Sequence, residues 1–439
     1  MEASVPEVRR GLGARIAALG GGASIAPLLI LFGLNAVDEL DRTAFSVLLP
    51  EIRDHFGLNL TGVTALQAAV IPVGLVLALP IARLGDRGRR IPIAIAGAAT
   101  WGLFSIFTGL ATTVVLLGIA RVGAGLGRAV NSPIHSSLLS DYYPPSARAK
   151  VISAHRAANT VGAFCGPLIA GFVAQAVGWR VPFFALSAPT FALVVVAMVA
   201  LKNPEPTGSR LVEGRPNFRT AIGSLLGIRT LRRLVIAFPF LAFVAIGLQP
   251  LFALYYSDVF NVGPGARGVI QSFDTPFILL GLVVGSTLID RGIAGDAGRA
   301  VRYFGLGALP IAVFILGAAW APSLWIGIVC AYSIQVFATV LISGGVAIVS
   351  LVSPPESRAS GFALFEIVAL LGVIALPIVG RVGDSFGIRT GMAVTAPMLV
   401  VGALIAASAG RFANDDVRRI YPDHKPDAPS QPFDLTDTL

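Results

Sequence analysis

Apolar stretches of about 20 residues recur along the chain and are separated by short polar connections. A helix needs a stretch of about that length to cross the hydrocarbon core of a bilayer. The pattern predicts an all-α integral membrane protein with twelve transmembrane helices. The predicted spans are residues 24–51, 60–82, 91–111, 114–141, 150–175, 181–201, 233–257, 266–289, 300–320, 323–350, 359–380 and 389–410.

The longest internal polar connection, residues 202–232, divides these spans into two groups of six. From Asn217 onward the connection alternates apolar and basic residues at helical spacing, which suits a helix on the inner leaflet; a solvated loop is the alternative. The predicted organisation is a cytoplasmic N-terminus (1–23), an N-terminal six-helix bundle (24–201), a cytoplasmic linker (202–232), a C-terminal six-helix bundle (233–410) and a cytoplasmic tail (411–439).

The two groups repeat each other. "LGDRG" at 84–88 recurs as "LIDRG" at 288–292, and "GFVAQAVGWR" at 171–180 recurs as "GRVGDSFGIR" at 380–389. Each pair occupies the same place in its half, which indicates two pseudo-symmetric six-helix halves. Parallel halves around a central pathway are typical of transporters that alternate access by rocking one half against the other.

The composition agrees with a membrane protein. The chain has 439 residues, 55% hydrophobic and only 13% charged, with a mean hydropathy of +0.79, whereas soluble domains carry about 25% charge. The net charge of +9 is scattered between spans, so nucleic acid is not expected as a partner. Basic residues concentrate in the connections on the side of both termini, which predicts cytoplasmic termini. Three lysines against thirty arginines suggest a bacterial plasma (inner) membrane.

Enzyme chemistry is not expected from this sequence. Cys165 and Cys330 lie inside apolar runs and read as small core residues. No metal-ligand spacing and no glycine-rich nucleotide loop such as GxxxxGK[ST] is present. We therefore predict no catalytic residues, no metal and no cofactor, and treat a lipid-modifying membrane enzyme or a receptor as distant alternatives.

The connection after span 2, "ARLGDRGRR" (82–90), resembles the cytoplasmic signature of the major facilitator superfamily. It departs from that signature at Ala82, where glycine is expected, and at Gly88, which comes one position early. The resemblance implies that Asp86, Arg87 and Arg90 form a conformational latch. Anchoring by the positive-inside rule alone would explain the arginines but not the acid.

Span 5 contains "GAFCGPLIAG" (162–171), which resembles the antiporter signature of the same superfamily at Gly162, Gly166 and Pro167. That resemblance implies export of the substrate. Close helix packing, with no bearing on direction, is the alternative reading of the same small residues.

Two further segments, "DELDRTAFSVLLPEIRDHFGL" (38–58) and "RVGAGLGRAVNSPIHSSLLSDYYPPSARA" (121–149), are similar to the Spinster group, transporters of lysophospholipids and sphingolipids. Asp41, Arg42 and Arg121 align with that group's functional charges. Arg128 departs from the pattern, since it stands where the group has a glutamate.

The charges of span 1 need partners, because a lone charge at the bilayer centre costs roughly 2.5–3.5 kcal/mol. Asp38, Asp41 and Arg42 share one helical face, and Arg121 and Arg128 share a face of span 4. Counting 1.5 Å per residue places Arg128 level with Asp38, and Arg121 near Asp41 and Arg42. The predicted proton-coupling residues are Asp41, Asp38 and Glu39, and the predicted substrate or charge-pairing residues are Arg42, Arg121 and Arg128.

Two readings of this cluster stay open. Arg128 either pairs with Asp38 or helps bind a phosphate headgroup, and static bridges that only fix helix register are the structural alternative. Gln249, Asp274 and Glu366 are possible cavity-lining residues.

The combined expectation is a monomeric, proton-coupled secondary transporter surrounded by membrane lipids. It would export an amphiphilic anion such as a lysophospholipid by alternating access. A multidrug or metabolite proton antiporter is the main alternative.

Overall fold

A computed structural model describes residues 20–69, 90–202, 218–293, 296–354, 357–373 and 375–421. All regular elements in these ranges are helical, which confirms the all-α prediction. Most of predicted span 2, with Asp86 and Arg87 of the predicted latch, lies outside the described residues.

The first half of the chain forms eight α-helices and one π-helix. They are α1 (Ala26–Val47), α2 (Leu49–Phe56), α3 (60–69), α4 (Arg90–Leu110), α5 (Val114–Arg128), the π-helix (Asn131–His135), α6 (Ser136–Tyr142), α7 (Pro145–Val177) and α8 (Val181–Ala200).

The linker and the second half form the remaining helices. They are α9 (Phe218–Gly227), α10 (Arg229–Phe260), α11 (Pro264–Ser272), α12 (Asp274–Ile293), α13 (Ala297–Leu306), α14 (Leu309–Ala319), α15 (Leu324–Val352), α16 (Arg358–Val373), α17 (Leu376–Phe386), α18 (Ile388–Ala393) and α19 (Thr395–Ile420). The segment after Asn217 is therefore a helix, α9, rather than a solvated loop, while its position on the inner leaflet stays a prediction.

Local signals in the sequence explain where several helices begin and end. Pro27 occupies the first turn of α1, where the missing N–H costs nothing. Thr113 accepts a hydrogen bond from the Leu116 amide and caps α5. Asp296 caps α13, and a hydrogen bond from the Asn414 side chain lowers the pKa of its carboxyl group. Asn261 ends α10 in the left-handed conformation.

Ten helices in the described part of the chain are long and apolar enough to cross a membrane. They coincide with predicted spans 3 to 12, several of them as two helices joined by a turn. Predicted span 1 corresponds to α1 and the start of α2, and its charged residues Asp38, Asp41 and Arg42 lie on α1. The chain is therefore a multi-pass membrane protein, as predicted.

The chain divides into two compact units that do not follow the predicted half boundaries throughout. The first unit comprises residues 1–48, 69–211 and 264–272, and the second comprises 49–68, 212–263 and 273–439. The predicted domain boundaries stay a prediction.

Ion pairs and helix capping hold segment 49–68 in the second unit. Arg53 donates to both carboxylate oxygens of Asp258, at 2.6 and 2.8 Å, and these hydrogen bonds raise the pKa of its guanidinium group. The Asp384 carboxylate accepts from the backbone N–H groups of Leu60, at 2.7 Å, and Thr61, at 3.0 Å. Asp384 thereby satisfies two of the amides that the start of α3 leaves without a helical partner.

Glycines of α7 allow very close packing inside the first unit. A Cβ atom on Gly162 would lie 2.7 Å from the Ala36 carbonyl oxygen of α1, and one on Gly166 would lie 2.9 Å from the Leu40 carbonyl oxygen. Both distances are shorter than normal van der Waals contact. Gly162 and Gly166 therefore allow α7 to lie directly against the helix that carries the acids.

We predict that Gly166→Ala lowers the free energy of unfolding of the purified protein by about 1–3 kcal/mol, because the new methyl group meets backbone atoms of α1. The melting temperature should fall accordingly. Fluorescence-monitored unfolding in detergent measures the change. Gly223→Ala is the matched control, since its Cβ would enter open space on α9. Equal melting temperatures for Gly166→Ala and the wild type would contradict the close packing.

Candidate functional site

Two buried carboxylates of α1 lie one turn apart and face α5. Asp38 is 5% exposed and Asp41 is fully buried. Arg128 Nε donates to Asp38 Oδ1 at 2.6 Å, and Arg128 Nη2 lies 3.2 Å from Asp41 Oδ2. Arg121 Nη1 donates to the same Asp41 oxygen at 3.2 Å. We call Asp38, Asp41, Arg121 and Arg128 the charged cluster.

Neutral side chains complete the hydrogen bonding of both carboxylates. Asn131 Nδ2 donates to Asp38 Oδ2 at 2.7 Å, and Ser105 Oγ donates to Asp41 Oδ1. All four carboxylate oxygens therefore have a partner. The guanidinium group of Arg121 also lies 4.1 Å from the centroid of the Phe45 ring, in cation–π geometry.

The equal number of negative and positive side chains explains why the cluster can be buried inside the protein. A carboxylate in a low-dielectric interior is costly unless it is both paired and hydrogen-bonded. Two acids and two arginines in mutual contact meet that requirement. Removal of Arg128 leaves Asp38 without a charged partner within the described residues, whereas Asp41 keeps Arg121.

Arg42 and Glu39, both on α1, form a second ion pair next to the charged cluster. Arg42 Nε donates to Glu39 Oε2 at 2.9 Å, one turn away on the same helix. The Arg42 side chain is 47% exposed, whereas that of Glu39 is only 14% exposed. Arg42 thus pairs with Glu39 rather than with Asp41, and its guanidinium group is the most accessible cation of the site.

A π-helix follows α5 and holds Asn131 at one end and His135 at the other. Such single-turn insertions occur preferentially at functional sites. The ring of His135 packs edge-on against that of His155, with centroids 5.3 Å apart, and both side chains are buried. Within the described residues neither nitrogen of His135 has a hydrogen-bond partner.

Three residues that contact the charged cluster were not predicted from the sequence: Asn131, Ser105 and Phe45. Ser105 lies in an apolar run of α4 that carries no signal of its depth or direction. Asn131 lies one turn beyond Arg128, which could have suggested a shared face. Phe45 has the helical spacing of Asp41, but an aromatic residue in a membrane span is common and carries little specific information.

The other predicted site residues lie apart from the cluster. Arg90 pairs with Asp141 at the end of α6, within the same unit, whereas its predicted latch partners are outside the described residues. Gln249 is half-buried on α10, and Asp274 is half-buried at the start of α12. Glu366 lies on α16, and the structure does not describe its side chain.

A family model described as Major Facilitator Superfamily matches residues 31–299 of the chain. The chain belongs to the Major Facilitator Superfamily. This membership confirms the family predicted from "ARLGDRGRR" and the repeated halves. The matched range begins in α1 and includes all members of the charged cluster.

Curated relatives in this superfamily match parts of the chain. The probable L-galactonate transporter of Escherichia coli (strain K12) is 24% identical over 281 residues, which cover 61% of this chain and 62% of that protein. The lincomycin resistance protein of Streptomyces lincolnensis is 31% identical over 185 residues, which cover 42% of this chain and 38% of that protein. In both cases the match spans less than two thirds of the relative's length.

A solved structure shares the fold over nearly the whole chain. The crystal structure of a bacterial homologue to the human lysosomal transporter Spinster, inward-facing and unoccupied, superposes with a TM-score of 0.79. The match covers 89% of this chain and 98% of that chain at 22% identity. The superposition shows a common fold, and together with the family match it confirms the predicted fold class.

The contacts of Arg128 generate a stability prediction. We expect Arg128→Gln to destabilise the protein by about 3–5 kcal/mol, because Asp38 and Asp41 both lose a charged partner. Asp38→Asn combined with Arg128→Gln should recover part of that loss, since the uncompensated carboxylate is then removed. A double-mutant cycle of thermal unfolding measures the coupling, and additive effects of the two substitutions would contradict the contact.

Proposed function

We propose that the protein is a proton-coupled secondary transporter of an amphiphilic anion, such as a lysophospholipid. The observation that carries this proposal is the buried, charge-balanced cluster on α1 and α5 beside the exposed Arg42. Charges inside membrane spans are rare and mark ion or substrate pathways. A scaffold protein would have no need of them.

The arginines supply the anion chemistry. Guanidinium groups bind phosphate or carboxylate through paired, charge-assisted hydrogen bonds. Arg42 is accessible, and an anion that recruits it takes the counter-ion from Glu39. An anion that recruits Arg128 takes the counter-ion from Asp38 in the same way. In both cases the released carboxylate favours a proton, so anion binding and protonation are linked.

An apolar cavity supports the amphiphilic part of the proposal. The second unit by itself contains a cavity of about 310 Å³ between α10, α13, α14, α15, α16 and α19. Every residue that lines it is apolar or glycine, and Phe238, Phe304, Phe362 and Phe365 contribute the largest side chains. The volume is at the lower end of the range for ligand pockets. An alkyl chain fits this chemistry, whereas a sugar acid does not.

The direction of transport depends on the sign of the coupling. Co-binding of a proton and an anion, as derived above, favours movement of both in the same direction. The resemblance of Gly162, Gly166 and Pro167 to the antiporter signature supports export instead, which requires that the proton and the substrate exclude each other. The two modes predict opposite responses to an imposed pH gradient.

Efflux of small drugs or metabolites is the second candidate function. It is favoured by the relatives: one is a lincomycin resistance protein, another is the drug efflux pump JefA of Mycobacterium tuberculosis, and a third is a probable L-galactonate transporter. L-Galactonate is a carboxylate, so Arg42 could serve such a substrate as well.

The experiment uses purified protein in liposomes and a fluorescent lysophosphatidylglycerol whose outer-leaflet fraction is quenched chemically. We expect translocation to accelerate under one polarity of an imposed pH gradient and to slow under the opposite polarity, and the accelerating polarity distinguishes the two modes. Asp38→Asn and Asp41→Asn should each reduce that acceleration at least tenfold, since the amide cannot carry a proton. Arg42→Gln should slow translocation with or without the gradient.

Asp415→Asn is the matched control, because Asp415 is an exposed acid on α19 and belongs to the second unit, whereas the charged cluster belongs to the first. It should translocate the lipid as the wild type does. Normal gradient-driven translocation in both Asp38→Asn and Asp41→Asn would overturn the coupling scheme. L-Galactonate or lincomycin transport without lipid translocation would favour the second candidate.

A further inference from the structure

Two asparagines extend the accessible polar surface of α1 onto α7. Asn35 Nδ2 donates to Asn159 Oδ1 at 2.6 Å and to the backbone carbonyl oxygen of His155 at 3.4 Å. Asn159 is exposed and Asn35 is partly exposed, and both belong to the first unit. Among the described residues, the hydrogen bonds of the charged cluster include neither amide. The pair is therefore a separate polar feature of this unit.

The two hydrogen bonds determine which atoms of the pair remain available. A backbone carbonyl only accepts, so Asn35 directs its NH2 group toward α7. That NH2 group also donates to Asn159, which answers with its carbonyl oxygen. Asn35 Oδ1 and Asn159 Nδ2 have no hydrogen-bond partner among the described residues. The pair thus offers one acceptor and one donor, the combination that a hydroxyl group satisfies.

Asn35 lies on the same face of α1 as the accessible ion pair. Asn35, Glu39 and Arg42 are spaced i, i+4 and i+7 along the helix. Arg42 Nε donates back to Glu39 at 2.9 Å, which places its guanidinium group level with Glu39. Asn35 comes one turn earlier, about 6 Å along the helix axis at 1.5 Å per residue. A cation and an amide pair therefore line one accessible strip of the first unit, one helical turn apart.

A hydrogen bond that only joins two helices is the structural alternative. α1 and α7 already meet at Gly162 and Gly166, where a Cβ atom would collide with backbone atoms of α1. A joining hydrogen bond also gives no reason for an exposed asparagine within a membrane span, where polar side chains face the protein interior or a water-filled pathway. The exposed amide pair is explained if this strip of α1 and α7 faces such a pathway.

We propose that Asn35 and Asn159 form a subsite for hydroxyl groups of the substrate, beside Arg42, which binds its anionic group. The ligand class is a short polyol that carries a phosphate, such as glycerol phosphate. The phosphate pairs with the guanidinium group, and a hydroxyl group one helical turn away donates to Asn35 Oδ1 and accepts from Asn159 Nδ2. A headgroup that ends in a quaternary ammonium ion satisfies neither atom.

The subsite narrows the proposed function to one kind of headgroup. A lysophospholipid with a phosphoglycerol headgroup uses both Arg42 and the amide pair, whereas lysophosphatidylcholine uses only Arg42. This lipid preference rests on the proposed function. Binding of glycerol phosphate itself does not.

The test is equilibrium binding of sn-glycerol 3-phosphate to the full-length protein in detergent, measured by saturation-transfer NMR. The comparison ligand is n-propyl phosphate, which has the same charge and the same three carbons but no hydroxyl group. We expect the wild type to bind glycerol 3-phosphate about three- to tenfold more tightly, the effect of one or two hydrogen bonds. Asn35→Leu and Asn159→Leu should each bring the ratio of the two affinities close to one.

Two further variants separate the subsite from general effects on binding. Arg42→Gln should weaken both ligands to a similar degree and preserve the ratio, because it removes only the partner of the phosphate. Asn261→Gly is the matched control, since Asn261 belongs to the second unit and has a left-handed conformation that glycine also adopts. It should show the wild-type ratio. Size-exclusion profiles and melting temperatures establish that each variant is folded.

Equal binding of the two ligands by the wild type, or no binding of glycerol 3-phosphate, would overturn the hydroxyl subsite. An unchanged affinity ratio in folded Asn35→Leu and Asn159→Leu would overturn it as well. The ligands carry no acyl chain and no flux is measured, so these results are independent of the liposome experiment. Failure of lipid translocation with a normal affinity ratio would overturn the proposed function and leave the subsite standing.

Discussion

The scarcity of water in the membrane core is the constraint on which this structure depends. Each buried charge must find an opposite charge and hydrogen bonds within the protein. Asp38 and Asp41 find them in Arg121, Arg128, Asn131 and Ser105. The contacts of this cluster join α1, α4 and α5, so the electrostatic requirement also fixes how these helices are placed within the first unit.

Close helix packing in the same unit helps to hold the buried charges beside their partners. Gly162 and Gly166 let α7 approach the face of α1 next to the acids, and Thr43 of α1 donates a hydrogen bond to the carbonyl of Gly162 at 3.4 Å. The π-helix beginning at Asn131 turns an amide toward Asp38 directly after Arg128. Our proposal that a substrate anion changes the protonation of one acid by displacing one arginine relies on these contacts holding the remaining members of the cluster in place.

The sequence predicted the elements that follow from simple periodicity. Span positions followed from apolar length, and the contact of Arg128 with Asp38 followed from depth counting, because both helices rise by a constant distance per residue. The rotation of a helix about its axis is not fixed by such counting. For this reason the pairing of Arg42 with Glu39 on the same helix was not predicted. Ser105 and the break at Phe273 were missed for a related reason, since both depend on which neighbouring helices surround them.

We propose that anion binding and protonation are linked at the charged cluster. The most direct test of this linkage is the number of protons exchanged when lysophosphatidylglycerol binds the purified protein, obtained by calorimetry in buffers of different ionisation enthalpy. Linkage at the cluster predicts uptake of about one proton by the wild type and a clearly smaller uptake when Asp38 and Asp41 are both replaced by asparagine. Binding of the lipid to the wild type without any proton exchange would contradict it.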